Sequence, residues 1–108
     1  MKKVKRFEVW LARLDPTVGA ETKKTRLVVI VSPDELNALL QTVIVAPMTH
    51  ARINWPIRID ATFNKDRGQV KLDQIRAVDK ARLVKKQGSI QVKTKMLILR
   101  TLQEMFAE

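Results

Sequence analysis

Few side chains in this sequence can shuttle a proton or grip a phosphate. Histidine occurs once, at position 50, and cysteine does not occur. A two-histidine acid/base pair, a thiolate nucleophile, a cysteine-containing zinc site and a multi-histidine metal site are therefore excluded. There is no P-loop, no dinucleotide-binding glycine fingerprint, no nucleophile elbow and no HExxH stretch. Arginine, lysine, carboxylates and hydroxyls remain. That set suits phosphate chemistry, in which guanidinium groups clamp phosphate oxygens and charge stabilisation carries much of the rate.

The charge points the same way. Among 108 residues, 21 are Lys or Arg and 11 are Asp or Glu, a net charge of +10. A field of that sign on so small a chain draws polyanions, first of all nucleic acid or an acidic protein. A membrane surface fits less well, because no segment sets a basic face against a strongly apolar one. No apolar run approaches the roughly 20 residues needed to span a bilayer. The basic start, Met1 to Arg6, lacks the apolar stretch of a signal peptide, so a cytoplasmic location is expected. Lys80, Arg82, Lys85, Lys86, Lys93 and Lys95 form an acid-free run over 80–95. For that run a plain solvated face and a polyanion-binding face weigh equally.

These residues must be positioned by short strands. Phe7, Val9 and Leu11 alternate with Glu8, Trp10 and Ala12, the period of a strand, with Trp10 expected in the core. Asp15 to Gly19 breaks that strand, and 19–25 reads as a polar loop. Leu27 to Val31 is apolar on both faces, as in a central buried strand. Ser32 as cap, Pro33 at the first helical position and Glu35 completing a capping box predict a short helix ending near Leu40. Further strands are expected over 42–46, 57–61 and 70–75, with an irregularity near Asp73 and a short pairing segment at 78–84. Asn64–Gly68 and Gln87-Gly88 read as turns. Met96, Leu99, Leu102, Met105 and Phe106 recur at helical spacing and predict a helix over 93–107 whose stripe packs on the sheet. The pattern is mainly β with α, an antiparallel sheet curled into a small barrel with a short inserted helix and a C-terminal helix, in a single domain 1–108.

Four blocks carry a resemblance. Val9-Trp10-Leu11 leading to Leu14-Asp15-Pro16-Thr17-Val18-Gly19-Ala20-Glu21 and Lys23-Lys24-Thr25-Arg26 resembles the opening of the MazF/PemK toxins. Val31 to Asn37, Thr42 to Thr49 and Leu72 to Lys80 are similar to later blocks in the same order, so the likeness runs from about Phe7 to Phe106. It implies an SH3-like barrel, usually homodimeric. It also implies a metal-independent, sequence-specific endoribonuclease toxin without cofactor, neutralised by an antitoxin with an often acidic tail. Arg26, Thr49 and Glu21 stand at the family's functional arginine, threonine and loop acid. Cleavage through the 2′-hydroxyl needs a base, a proton source and charge stabilisation. Arg26 suits charge stabilisation, Thr49 can hold a non-bridging oxygen, and Glu21 is the candidate base. Lys23, Lys24, Thr25, Arg52, Trp55 and Gln74 are the expected RNA contacts, with Arg52 and Trp55 on a loop that resembles the family's sequence-reading loop. Arg76 and Asp79, three residues apart, have the spacing of a structural ion pair and are expected to support the scaffold or the dimer. His50 follows Thr49 directly and is expected to face away from it. Leu27 stands where the family usually has proline, Phe7-Glu8 where Gly-Asp is commoner, and Ala77 where threonine is commoner. Two other readings compete: a gyrase poison like CcdB, acting through its terminal helix, and a nucleic-acid-binding barrel without chemistry.

Overall fold

The computed structural model describes residues 2–108. Seven strands and two helices follow in the order β1 (Glu8–Arg13), β2 (Thr25–Ile30), α1 (Asp34–Leu39), β3 (Thr42–Thr49), β4 (Arg58–Phe63), β5 (Asp66–Lys71), β6 (Arg76–Asp79), β7 (Leu83–Ser89) and α2 (Val92–Met105). Single 3-10 turns at Leu72–Gln74 and Lys80–Arg82 flank β6. The strands pair antiparallel in the order β4-β5-β3-β2-β1-β7, and β6 pairs with β3 off that path. β3 bends the sheet. Its first half, Thr42 to Val45, pairs with β6, its middle with β2, and its end, Met48 and Thr49, with β5. A strand shared in this way curls the sheet into a half-barrel.

The run Leu27 to Val31 becomes the central strand its composition predicts. Val28 and Ile30 face one core cluster with Trp10, Ala12, Leu14, Val43, Val45, Val78 and Leu83. Val29 and Val31 face the other, with Val9, Ala46, Ile59, Ala61, Phe63, Val70, Leu72 and Ile98. Apolar residues on both faces are what a strand buried on both sides requires.

Several local expectations are corrected. Pro33, not Ser32, occupies the N-cap of α1, and no side chain caps it. The Ser32 hydroxyl instead donates to Asn37 Oδ1 at 2.6 Å and accepts from the Ile44 N–H at 3.0 Å, tying the helix to β3. The turn at Asn64–Gly68 shrinks to Asn64 and Lys65, both left-handed at φ 50° and 68°, the geometry of a two-residue hairpin turn. Asp66, Arg67 and Gly68 already belong to β5. Gln87 and Gly88 lie inside β7, beside a register shift against Val9 and Trp10. The glycine marks a bulge, not a turn.

α2 buries Thr94 and Ile98, with Leu102 and Met105 packed against the core. Met96 and Phe106 do not join that stripe and stand 64% and 73% exposed. Met96 lies two residues from both Thr94 and Ile98, about 200° round the helix from each, so it faces water. Lys80 fits neither reading of the run at 80–95. It is 2% exposed, and its ammonium donates to the Asn37 carbonyl near the end of α1. No helix is long and apolar enough to cross a membrane.

Candidate active site

The first long loop, residues 14–24, is set by bonds from outside it. Gln74 Oε1 accepts from the Thr22 N–H at 2.6 Å and from its hydroxyl at 2.8 Å, while Nε2 donates to the Ala20 carbonyl at 3.3 Å. Arg76 Nη1 donates to the Leu14 carbonyl at 3.1 Å, and Arg82 Nη1 donates to the carbonyls of Arg13 and Asp15. Within the loop, Glu21 Oε1 accepts from the Val18 N–H at 2.6 Å. So braced, the loop forms one wall of a cleft of about 540 Å³. The start of β2 with Leu11 of β1, the end of β3 with His50 and Ala51 beyond it, Ala61 and Phe63 of β4, and the strand β5 form the rest.

Glu21, Lys23, Thr25, Arg26 and Thr49 all line this cleft. They come from the loop, from the outer end of β2 and from the last residue of β3. Arg26 is exposed and, among the described residues, enters no ion pair. Thr49 is half-buried, and its Oγ1 accepts from the Ala51 N–H at 3.2 Å. Leu27, in the place of the family's usual proline, faces Leu11 across β1 and β2, and both line the cleft.

Four further titratable residues enter that sequence reasoning did not place there: His50, Asp66, Arg67 and Lys71. His50 was expected to face away from Thr49. It lies one residue past the end of β3, in a bend, where the alternation of an extended chain has lapsed. Lys71 sits between Val70 and Leu72, both fully buried. That alternation shows it points away from the core, but only the register reveals that it points into the cleft. Burial pushes the Lys71 ammonium below the ordinary lysine range, and the guanidinium groups of Arg58 and Arg26 push the same way. Against four cations (Lys23, Arg26, Arg67, Lys71) the lining holds two carboxylates, Glu21 and Asp66.

The remaining expected contacts lie outside the cleft. Lys24 is left-handed at φ 67°, and its carbonyl accepts from the Leu14 N–H at 2.9 Å, closing the base of the loop. Gln74 lines a neighbouring depression, with both ends of its amide engaged by the loop. Arg52 and Trp55 sit on the adjoining loop 50–57. Arg52 pairs with Asp60 at 3.2 Å, and Trp55 lies under the Arg58 guanidinium, 4.7 Å from its ring centre. Arg76 and Asp79 form no ion pair with each other. Arg76 braces Leu14, and Asp79 accepts from the Ala81 N–H at 2.7 Å as the cap of a 3-10 turn.

A curled half-barrel opening a cationic, hydroxyl-bearing cleft defines a small barrel suited to a polyanion. Its relatives are narrower in kind. Residues 5–106 match the family described as PemK-like, MazF-like toxin of type II toxin-antitoxin system, and the chain belongs to that family. It is 38% identical over 90 residues to the endoribonuclease EndoA of Bacillus subtilis (strain 168), covering 77% of each chain. It is 35% identical over 81 residues to the endoribonuclease PemK of Escherichia coli, covering 70% of this chain and 61% of PemK. The matched stretch thus spans less than two thirds of PemK. MazF from Deinococcus radiodurans shares the fold at a TM-score of 0.85 and 16% identity, with 97% of each chain covered.

Proposed function

We propose that this chain is the toxin of a type II toxin–antitoxin pair and an endoribonuclease that cuts single-stranded mRNA at a short sequence motif. The observation that carries the reading is the meeting of Glu21, Arg26 and Thr49, from a loop and two strand ends, in one cleft with a net excess of cations. Family membership and the two endoribonuclease relatives support it.

The chemistry follows from the side chains present. The 2′-oxygen attacks the adjacent phosphorus, and its proton passes to the Glu21 carboxylate. The bond from phosphorus to the 5′-oxygen breaks, and that oxygen takes a proton from the Lys71 ammonium, whose pKa burial lowers. Arg26 holds the charge that builds on the non-bridging oxygens, and the Thr49 hydroxyl donates to one of them. The products are a 2′,3′-cyclic phosphate and a 5′-hydroxyl, and no step calls for a metal ion. Lys23, Thr25 and Arg67 meet flanking phosphates, which gives binding a strong salt dependence. An antitoxin with an acidic segment fits the same cationic cleft, and its seat there excludes RNA. The toxin acts in the cytoplasm as a homodimer.

The test is cleavage of a long single-stranded RNA in EDTA, with ends mapped, by wild type, Arg26→Ala and Thr49→Ala. Cuts at one short motif with cyclic phosphate ends, lost in both folded variants, are the expected result. A folded wild type that makes no cuts overturns the enzyme and leaves a binding-only or gyrase-directed toxin. Cuts that persist in both variants overturn the site.

A further inference from the structure

Residues 50–57, between β3 and β4, contain no helix or strand, yet they are tied down at several points. Gln69 is 4% exposed on β5, opposite Thr49 on β3 and Asp60 on β4. Its amide closes on Ile53 with both ends. Oε1 accepts from the Ile53 N–H at 3.0 Å, and Nε2 donates to the Ile53 carbonyl at 2.9 Å and to Asp60 Oδ1 at 2.9 Å. A side chain here imitates the paired bonds of a neighbouring strand. The Ile53 carbonyl also accepts from the Trp55 N–H at 2.9 Å, so the anchor extends to Trp55.

A second anchor meets it there. Asp73 grips Arg58 through two bonds, at 2.7 and 3.1 Å, on a guanidinium side chain only 6% exposed. The Trp55 ring lies against that guanidinium at 4.7 Å, while 51% of the residue stays open to water. One face of the indole is therefore fixed by a held cation, and the rest is offered to solvent. Arg58 also pairs in register with Lys71, which lines the cleft. The loop's other root is Ala51, bonded to the Thr49 hydroxyl at 3.2 Å.

We propose that Gln69 is a positioning residue: it presets Trp55 as a stacking platform for one unpaired base of the RNA and ties that platform to Thr49. This rests on the cleft being an RNA site. Aromatic stacking accepts any base, so the platform supplies affinity and register while the rest of the loop discriminates. Holding the indole in place beforehand removes an ordering cost that a mobile loop would meet on binding. Gln69 itself is buried and touches no RNA, so its effect passes wholly through Trp55 and the loop.

The test uses the full chain and labelled single-stranded 2′-O-methyl RNA oligonucleotides, which bind but cannot be cut, read by fluorescence anisotropy. Trp55→Ala weakens binding roughly tenfold. Gln69→Met, similar in size but without the three bonds, weakens it several-fold while circular dichroism shows a folded chain. The double variant binds no more weakly than Trp55→Ala alone, because the two act as a unit. If Gln69→Met fails to fold, Gln69→Glu carries the same expectation, since it keeps the size but loses the donor and sets a second carboxylate against Asp60. Losses that add in the double variant, or a Gln69 variant that binds like wild type, overturn the proposal. A wild type that shows this coupling but cuts no ordinary RNA sinks the endoribonuclease reading instead. A wild type that cuts RNA while the losses add sinks only the role of Gln69.

Discussion

Gly68 is where the candidate site is most sensitive to a single methyl group. The backbone there is ordinary, but a Cβ would stand 2.1 Å from the Thr49 carbonyl oxygen, 3.1 Å from its carbon and 3.4 Å from the His50 Cα. All three are backbone atoms, so no side-chain rotation relieves the overlap. An ordinary carbon–oxygen contact needs roughly 3.3 Å, so Gly68→Ala must drive β5 and the end of β3 apart by about 1 Å. The pairing that gives way is Met48 with Val70 and Thr49 with Gln69, which moves Thr49 against Arg26. Overpacking of this kind costs about 1–3 kcal/mol, a fall in melting temperature of roughly 5–15 °C for a chain this size. A displacement near 1 Å at a reacting group costs on the order of 100-fold in rate. The control is Gly19→Ala. Gly19 is left-handed at φ 57°, but nothing lies within 4 Å of its would-be Cβ, so the change costs about 1 kcal/mol of backbone strain. Thermal melts and single-turnover cleavage of RNA on both variants check the reasoning. Gly68→Ala with wild-type melting and wild-type rate refutes it.

Three more outcomes are expected. Because the Lys71 ammonium titrates below the ordinary lysine range, it loses its proton as pH rises through that lowered value. The alkaline limb of the cleavage pH profile therefore lies below the usual lysine pKa of about 10.4, and Lys71→Arg moves it to higher pH; an unmoved limb removes Lys71 from the proton transfer. The Arg58 guanidinium holds the Asp73 carboxyl below its ordinary value. Its contribution to stability is thus complete above the unfolded pKa near 4 and fades as pH falls through the folded one. Urea titrations from pH 7 to pH 2 should show Asp73→Asn destabilised by about 1.5–3 kcal/mol at pH 7 and converging on wild type in acid; a gap that does not close counts against the pair. Finally, Phe7 is left-handed at φ 71° and packs its ring under Arg6 and Lys95, 5.5 and 5.9 Å from its centre. Alanine there loses the ring and keeps the strain, whereas glycine loses both, so Phe7→Ala should melt below Phe7→Gly; the reverse order refutes the strain.

Phe7 also shows how a sequence hides its geometry. The commoner glycine at that position is explained by the left-handed turn that leads into β1, and a phenylalanine there gives no local sign of it. The elements were legible where one period ruled: the doubly apolar Leu27 to Val31, and Trp10 among alternating neighbours. They were misread where one residue type serves two purposes. Ser32 has the composition of a helix cap, but its hydroxyl is more useful to Asn37 and Ile44, across a contact that sequence order does not display. Gly88 looks like a turn because glycine usually is one, and it relieves a bulge instead. In α2, Met96 was grouped with the buried stripe on spacing from Leu99, but Thr94 and Ile98 set the inward direction, and a threonine is an easy anchor to overlook.

The site divides along the same line. Glu21, Arg26 and Thr49 were nominated by the family resemblance of short blocks, and such blocks report only chain-local pattern. The charged residues contributed by β5 were missed because their relevance exists only across the sheet. Nothing in Gly-Gln-Val-Lys says that Gly68 must admit the Thr49 carbonyl, that Gln69 must reach back sixteen residues to Ile53, or that Lys71 must face Arg26. Yet all three lie on one strand, and alternation sets Gly68 on the face opposite Gln69 and Lys71. Gln69 faces the loop and Asp60, Lys71 falls on the same side two positions on, and Gly68 leaves its face empty so that β3 can close. A strand placed between the loop and the cleft in this way explains why Gln74 and Lys24 serve as braces. The cleft is built on rigid walls, and in a chain with three glycines and one histidine those walls are made by amides and guanidiniums bonded to backbone. Substitutions that break such bonds without removing a positive charge, Gln74→Lys or Arg76→Lys, should therefore cost more activity than the loss of an exposed cation such as Lys24→Ala.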